Sequence, residues 1–216
     1  QVIEKNAFKN SSIESLSIPS HLKELKEGWC KSTKKLNNII ISPKNKHFII
    51  FDDLFIFGKS SPENDTYDVL VFANRNIKRA IIPSFIRIIN SYAFEYCDQL
   101  QSIEFSSDSN LEIIGKCAFS HSSIKKISFS SKLKEIHKKA FAFCHQLQEV
   151  EISGDSELQV IDKYAFQNSL INEVRIPVHI KQISGGTFQD CKQLKYVEIP
   201  ENSKLQNKEQ DAFQGK

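Results

Sequence analysis

Apolar residues recur along this chain in one short template, apolar-x-x-apolar-x-apolar, in which a polar residue usually separates the last two apolar positions. Side chains alternate between the two faces of a strand, so this alternation predicts a strand with one buried and one exposed face. In the C-terminal two thirds the template occurs at Leu100/Ile103/Phe105, Ile124/Ile127/Phe129, Leu147/Val150/Ile152, Ile171/Val174/Ile176 and Leu194/Val197/Ile199. A second apolar pair follows most strands, at Leu111/Ile114, Leu133/Ile136, Leu158/Ile161 and Ile180/Ile183.

An aromatic ladder runs in step with this template. A Phe, preceded by Ala in most copies, recurs at alternating intervals of 25 and 22 residues, at Phe94, Phe119, Phe141, Phe166, Phe188 and Phe213. A unit of this length cannot bury its apolar face alone, so the repeats must stack on one another as a solenoid. We expect the rings to form a spine through the core, where one Phe-to-Ala change should cost about 3–5 kcal/mol of stability.

The template extends less regularly into the N-terminal part, where Phe8, Trp29 and Phe72 take the aromatic position and bring the predicted strands to eight. The interval from Trp29 to Phe72 is 43 residues, well beyond the repeat length. The surplus falls at about residues 44–66, where the apolar runs 48–51 and 54–57 flank Asp52-Asp53. Apolar runs joined by turn-forming residues predict a β-hairpin inserted into one repeat.

Stacked repeats predict an α/β, β-rich fold. Strands of successive repeats would pair in parallel, about 4.8 Å apart, and the Ala-Phe segment would form a single helical turn on another face. Residues 1–216 are then one solenoid, and because Phe213 opens another repeat we expect a piece of a longer array.

These repeats resemble a known family. One of them reads Ile183-Ser-Gly-Gly-Thr-Phe188-Gln-Asp-Cys191-Lys-Gln-Leu194-Lys-Tyr-Val197-Glu-Ile199-Pro200, which is similar to the BspA-like, treponemal-type leucine-rich repeats. The resemblance implies a right-handed leucine-rich-repeat solenoid, here of about eight rungs with a parallel concave sheet. It also implies a cell-surface or secreted protein of the kind that bacteria and parasitic protists use for adhesion, and it brings no catalytic motif.

Charge and composition exclude several other classes. The net charge is +3, from 29 basic and 26 acidic residues, which is too balanced to indicate a nucleic-acid partner. No apolar run is long enough to predict a membrane-spanning segment.

Three of the five cysteines keep the register of the repeat. Cys97, Cys144 and Cys191 each follow a ladder Phe by three residues, so they lie two repeats apart. Two strand spacings amount to about 9.6 Å, which exceeds the Cα separation of about 7 Å that a disulfide tolerates. We expect these thiols, together with Cys30 and Cys117, to be unpaired.

The sequence contains no complete enzyme, metal-binding or cofactor-binding motif. The six histidines follow no spacing, and no C-x-x-C pair suggests zinc. Gly58-Lys59-Ser60 imitates the end of a phosphate loop, but Asp53 stands where its first Gly should be. We therefore predict a non-enzymatic protein with no catalytic, cofactor-binding or metal-binding residues.

Function in a solenoid lies on its exposed faces, chiefly the concave sheet. The outward positions of the C-terminal strands supply the candidate partner-binding residues Glu104, Lys126, Glu149, Glu151, Glu173, Arg175, Tyr196 and Glu198. Five acids and two bases in this set favour a basic protein partner, such as a host-matrix or cell-surface macromolecule, with a glycan as a further possibility. The inserted hairpin is a second candidate site. The competing hypothesis is an intracellular or structural scaffold repeat.

Overall fold

The computed structural model describes residues 1–208 and 212, and every regular element among them is a β-strand. Eight strands occupy the template position: β2 (Ser15–Ile18), β4 (Asn38–Ile41), β8 (Arg79–Ile82), β10 (Ser102–Phe105), β12 (Lys126–Phe129), β14 (Glu149–Ile152), β16 (Glu173–Arg175) and β18 (Tyr196–Glu198). We call their common surface the long-strand face. The ladder residue Phe213 lies outside the described residues.

A second row of strands forms the short-strand face. It comprises β1 (Val2–Ile3), β3 (Glu24–Leu25), β7 (Val69–Ala73), β9 (Ile88–Ile89), β11 (Ile113–Ile114), β13 (Glu135–Ile136), β15 (Val160–Ile161), β17 (Gln182–Ile183) and β19 (Asn207–Lys208). Each repeat runs from a short strand through a turn segment to a long strand, and we number repeats 1–8 by their long strands.

Strands of the same row pair in parallel, which confirms the solenoid and its parallel sheet. The long strands form three stretches, β2-β4, β8-β10 and β12-β14-β16-β18, and the short strands from β7 to β19 form one. Equivalent residues face each other, as in Ile127 with Val150 and Val174 with Val197. The right-handed sense of winding stays a prediction.

The ladder rings form the predicted spine. From Phe94 to Phe188 successive rings lie 4.8, 5.0, 5.2 and 5.6 Å apart and within 10° of parallel. The residue before each ring is fully buried; it is Ala in the first four repeats of the spine and Thr187 before Phe188.

The turn segments are not helical, so the single helical turn is wrong and the α/β label is not supported by the described residues. Each segment instead carries two residues with positive φ, four positions apart, such as Cys117 (53°) and His121 (60°). The N–H groups of Cys117, Phe119 and His121 consequently point along the solenoid axis and donate to carbonyls of the next repeat at 2.8–3.1 Å. The turn face is thus a third hydrogen-bonded ladder.

Cysteine and serine alternate in one buried column behind the ring spine, in the order Cys97, Ser122, Cys144, Ser169 and Cys191. The Cys144 Sγ donates to the Phe119 carbonyl at 3.1 Å and lies 3.5 Å from the Ser122 Oγ. All five cysteines are buried and unpaired, which confirms the prediction of free thiols. The thiols of Cys97, Cys144 and Cys191 each donate a hydrogen bond to a backbone carbonyl.

Repeats 2 and 3 reverse the order of the small and the aromatic residue. In a regular repeat the ladder Phe N–H donates to the carbonyl of the next repeat's Ala, as Phe94 does to Ala118 at 2.7 Å. The Phe8 N–H donates instead to the carbonyl of the aromatic Trp29, which takes the place of the Ala. In repeat 3 the N–H that donates to the Ala93 carbonyl is that of Ala73, which takes the place of the ladder Phe. Cys30 and Ala73 therefore occupy the ladder position, and the placement of Trp29 and Phe72 there was wrong by one residue.

The hairpin fills the space that this reversal leaves. Its strands β5 (Phe48–Phe51) and β6 (Phe55–Gly58) pair antiparallel, and β6 continues the short-strand sheet beside β7. Phe55 packs edge-on against Phe94 at 6.2 Å and ends the ring spine on that side. β6 separates two apolar cores, since Phe55 and Phe57 belong to the C-terminal one and Ile56 to the N-terminal one.

Repeat 3 contributes no turn to the turn face, and a buried cation lies in the space behind it. Arg75 is 1% exposed; its guanidinium donates to the carbonyls of Ala93 (2.8 Å) and Tyr92 (3.3 Å) and covers the Phe72 ring at 4.3 Å. Repeats 2 and 4 meet directly outside it, where the Ser32 N–H donates to the buried carboxylate of Glu95 at 2.6 Å.

Candidate recognition surface

The eight candidate residues share one exposed surface. All of them point outward from the long-strand face, on β10, β12, β14, β16 and β18. Strand register arranges them in two rows: one contains Lys126, Glu149, Glu173 and Tyr196, and the other contains Glu104, Glu151, Arg175 and Glu198. Parallel pairing places neighbours in a row about 4.8 Å apart.

Most of these charges are paired with one another. Lys126 lies 3.2 Å from Glu149 and 2.6 Å from Glu151, and its ammonium lowers the pKa of the Glu151 carboxyl. Arg175 and Glu198 form a pair at 3.2 Å, and Glu104 pairs with Arg79 at 2.9 Å. Exposed pairs of this kind contribute little stability, so their main effect is to fix the side chains in place.

Glu173 is the exception. It lies between Glu149 and Tyr196 in its row, and no ion pair to it exists among the described residues. The Tyr196 side chain beside it is 55% exposed. The carboxylate of this surface that has no cation beside it among the described residues is therefore that of Glu173, next to an exposed aromatic ring.

The N-terminal half of the same face carries two exposed apolar side chains among polar ones. Ile40 on β4 and Ile81 on β8 occupy outward positions and are 58% and 59% exposed. No Cα pair closer than 8 Å joins β4 to β8, although they belong to consecutive repeats. The outward position of both isoleucines could be read from the template, whereas the gap between their strands could not.

The hairpin is not an exposed binding loop. β6 is buried along its whole length, and β5 is at least half-buried. Only the turn residues Asp52 and Asp53 are exposed; both have positive φ, and the Leu54 N–H closes the turn on the Phe51 carbonyl at 3.1 Å. The hairpin therefore contributes to both apolar cores, so its removal would destabilise the fold.

The core of the described residues contains five buried thiols, and burial disfavours their ionised form. Burial raises the pKa of Cys144 to about 12 and that of Cys97 to about 11. Among residues 1–208 and 212, no group of three or more His, Cys, Asp or Glu side chains is arranged to hold a metal ion. The same residues contain no helix that could span a membrane.

Comparison with solved structures finds the same fold in bacterial proteins. The pneumococcal vaccine antigen PcpA matches 98% of this chain over 49% of its own length, with 20% identity and a TM-score of 0.75. A leucine-rich cell surface protein from Faecalibacterium prausnitzii matches 91% of the chain over 50% of its own, with 19% identity and a TM-score of 0.67. The T. pallidum leucine-rich repeat protein TpLRR matches 70% over 71%, with 24% identity and a TM-score of 0.60. The chain thus spans about half the length of the first two.

The curated proteins contain no match to this chain. The model of the BspA type leucine rich repeat region, by contrast, matches in six copies over residues 1–56, 68–195 and 159–216. These segments leave residues 57–67 uncovered, which are the end of β6 and the loop that follows the hairpin. The chain belongs to the BspA-type leucine-rich repeat family.

Proposed function

We propose that this protein is a non-enzymatic recognition module that binds another protein on its long-strand face. The observation that carries the proposal is the pair of straight rows of outward side chains on β10 to β18. Hydrogen-bonded ladders on three faces hold these strands, so the rows are ordered before a partner arrives. A preorganised surface loses little entropy on binding, which favours affinity.

The partner surface that fits these rows is basic. Five carboxylates stand against two cations among the eight residues, and Glu149 and Glu173 adjoin without a cation between them. Negative potential of this kind speeds association with a positively charged protein, and added salt weakens it. Tyr196 supplies the exposed aromatic contact that often dominates binding energy.

We further propose that the module acts at the cell surface or as a secreted protein, in adhesion to host or neighbouring-cell macromolecules. Family membership supports this, as do relatives described as a cell surface protein and a vaccine antigen. The alternative is an intracellular or structural scaffold. Antibody labelling of intact, unpermeabilised cells separates them, because a scaffold would be labelled only after permeabilisation.

The binding test uses Glu173→Lys, which reverses one charge without breaking an ion pair of the described residues. Binding of the protein to a panel of matrix proteins and glycans should weaken several-fold for a basic partner and lose part of its salt dependence. Glu63→Lys is the control, because Glu63 is equally charged and exposed but lies in the loop after the hairpin. Equal loss in both variants, or none in Glu173→Lys, would contradict the proposed surface.

A further inference from the structure

The long-strand face is interrupted between β4 and β8. β4 pairs only with β2, and β8 pairs only with β10. All Cα atoms of the two strands are more than 8 Å apart, whereas adjacent strands of a sheet lie about 4.8 Å apart. The separation exceeds one strand spacing, and β5, which lies beside β4, approaches no residue of β8 within that distance.

Both strands present their free hydrogen-bonding groups to this gap. Asn38 and Ser42 donate to carbonyls of repeat 1 at 3.0 and 2.9 Å, so the intervening Ile39 and Ile41 direct their N–H and C=O groups the other way. In β8 the register with β10 uses Ala80 and Ile82, which leaves Arg79 and Ile81 directed toward β4. Two open sheet edges therefore face one another.

The gap is also lined with apolar side chains that are incompletely covered. Ile40 and Ile81 flank it from the outer surface. Ile39, which points inward, is half-buried, whereas its counterparts Ala80 and Ile127 in repeats 3 and 5 are buried. Ile50 and Leu54 of the hairpin lie beneath Ile39 and are half-buried as well. Apolar surface of this kind marks a contact site rather than a solvated face.

The hairpin fixes the gap in the open state. Its tip is tied to both repeats through Asn74, whose N–H donates to the Leu54 carbonyl at 2.8 Å and whose Nδ2 donates to the Asn37 carbonyl at 2.6 Å. Closing β4 onto β8 would break these bonds and displace the hairpin. The edges can be satisfied only by solvent or by another polypeptide.

We propose that the gap binds an extended segment of a partner protein, which adds a strand to the long-strand face between β4 and β8. Continuity of the sheet on both sides specifies the backbone conformation of the segment, because main-chain hydrogen bonds to an open edge require an extended chain. Alternate side chains of the segment would be apolar, to cover Ile39 and Ile50 on the inner side. The exposed Asp52 and Asp53 at the hairpin tip favour a cationic residue beyond the apolar run. This site is independent of the charged rows on β10 to β18.

The test uses a fluorescent, acetylated and amidated peptide of the sequence Lys-Val-Thr-Val-Thr-Val-Lys, with binding to the whole chain followed by fluorescence polarisation. We expect saturable binding that weakens at least tenfold when alternate amides of the peptide are N-methylated. Ile40→Lys combined with Ile81→Lys should cause a loss of similar size. Ile81→Pro removes one N–H that faces the gap and spares the bonds to β10, so it should weaken binding by about threefold to tenfold. Val2→Lys is the matched control and should leave binding unchanged, because Val2 is likewise an exposed apolar residue but lies on β1 of the short-strand face.

Several results would overturn the proposal. Absence of binding, or binding that N-methylation does not weaken, would exclude strand addition. Concentration-dependent self-association that disappears in the Ile40/Ile81 double variant would identify a second copy of this chain as the occupant instead. Loss of peptide binding in Glu173→Lys with no loss in the double variant would place the peptide on the charged rows.

Discussion

Arg75 and Glu95 should be energetically coupled, because both charges are buried at the level where repeat 3 contributes no turn to the turn face. Arg75→Met removes the cation and keeps most of the side-chain volume. Breaking a buried pair by removing one partner costs about 3–5 kcal/mol, and the variant loses two charged hydrogen bonds and the contact with Phe72. The carbonyls of Tyr92 and Ala93 each keep a backbone donor, from Glu95 and Ala73, so we expect the lower part of that range.

The second half of the cycle is Glu95→Gln, whose amide oxygen can still accept the Ser32 N–H. Removing both charges leaves no uncompensated ion, so the double variant should be at least about 2 kcal/mol more stable than the sum of the single changes implies. The free energy of unfolding, measured by urea titration for all four proteins, gives the coupling. A coupling within about 0.5 kcal/mol of zero would refute the view that Glu95 compensates Arg75.

Three further predictions concern packing, thiols and pH. Gly115→Ala should lower the free energy of unfolding, measured by urea titration, by about 1–3 kcal/mol, because the new Cβ would lie 2.6 Å from the Ser91 backbone N. Gly154→Ala is the control and should be neutral, because a Cβ at Gly154 meets nothing within 4 Å. Equal effects of the two changes would contradict the close approach of the repeats at Gly115. Native Cys144 and Cys97 should react with a thiol reagent far more slowly than in urea, and equal rates would show that they are not buried. Burial raises the pKa of Glu95, so its contribution to the free energy of unfolding should fall as pH rises above the ordinary Glu value of about 4.3. The difference in free energy of unfolding between the wild type and Glu95→Gln, measured across this pH range, should therefore change with pH. A difference that is independent of pH would show that the carboxyl is solvated.

The sequence predicted the regular part of the fold because each repeat carries its own register. One apolar template sets which residues of a strand face inward, so the pairing of Ile127 with Val150 and the exposure of Glu149 follow directly. The pairing of Lys126 with Glu149 and Glu151 could have been derived from the same register, since these residues lie on adjacent strands.

The irregular repeats 2 and 3 and the conformation of the turn segments could not be predicted from the sequence pattern. In repeats 2 and 3 the aromatic residue, Trp29 or Phe72, comes before the small residue, Cys30 or Ala73, instead of after it. Both residue types are still present, so a shift of one residue leaves the spacing of the aromatic residues nearly unchanged. The only signal was the reversed order of small and aromatic residue. The paired positive-φ residues were also hidden, because Tyr, Phe and Lys disfavour that conformation intrinsically and adopt it here through the hydrogen bonds of neighbouring repeats.

The absence of repeat 3 from the turn face has a consequence for the path of the whole array. Glu27 of repeat 2 reaches Lys116 of repeat 5 at 3.2 Å, and Gly28 packs against Tyr92 of repeat 4, so the outer circumference here is one layer short. The short-strand face, by contrast, accommodates the two additional strands β5 and β6 at the same level. A stack that is thinner on its turn face than on its short-strand face should curve at that level, so we expect the axis of repeats 1 and 2 to be inclined to that of repeats 4 to 8. Any ligand long enough to contact both parts would have to follow this bend.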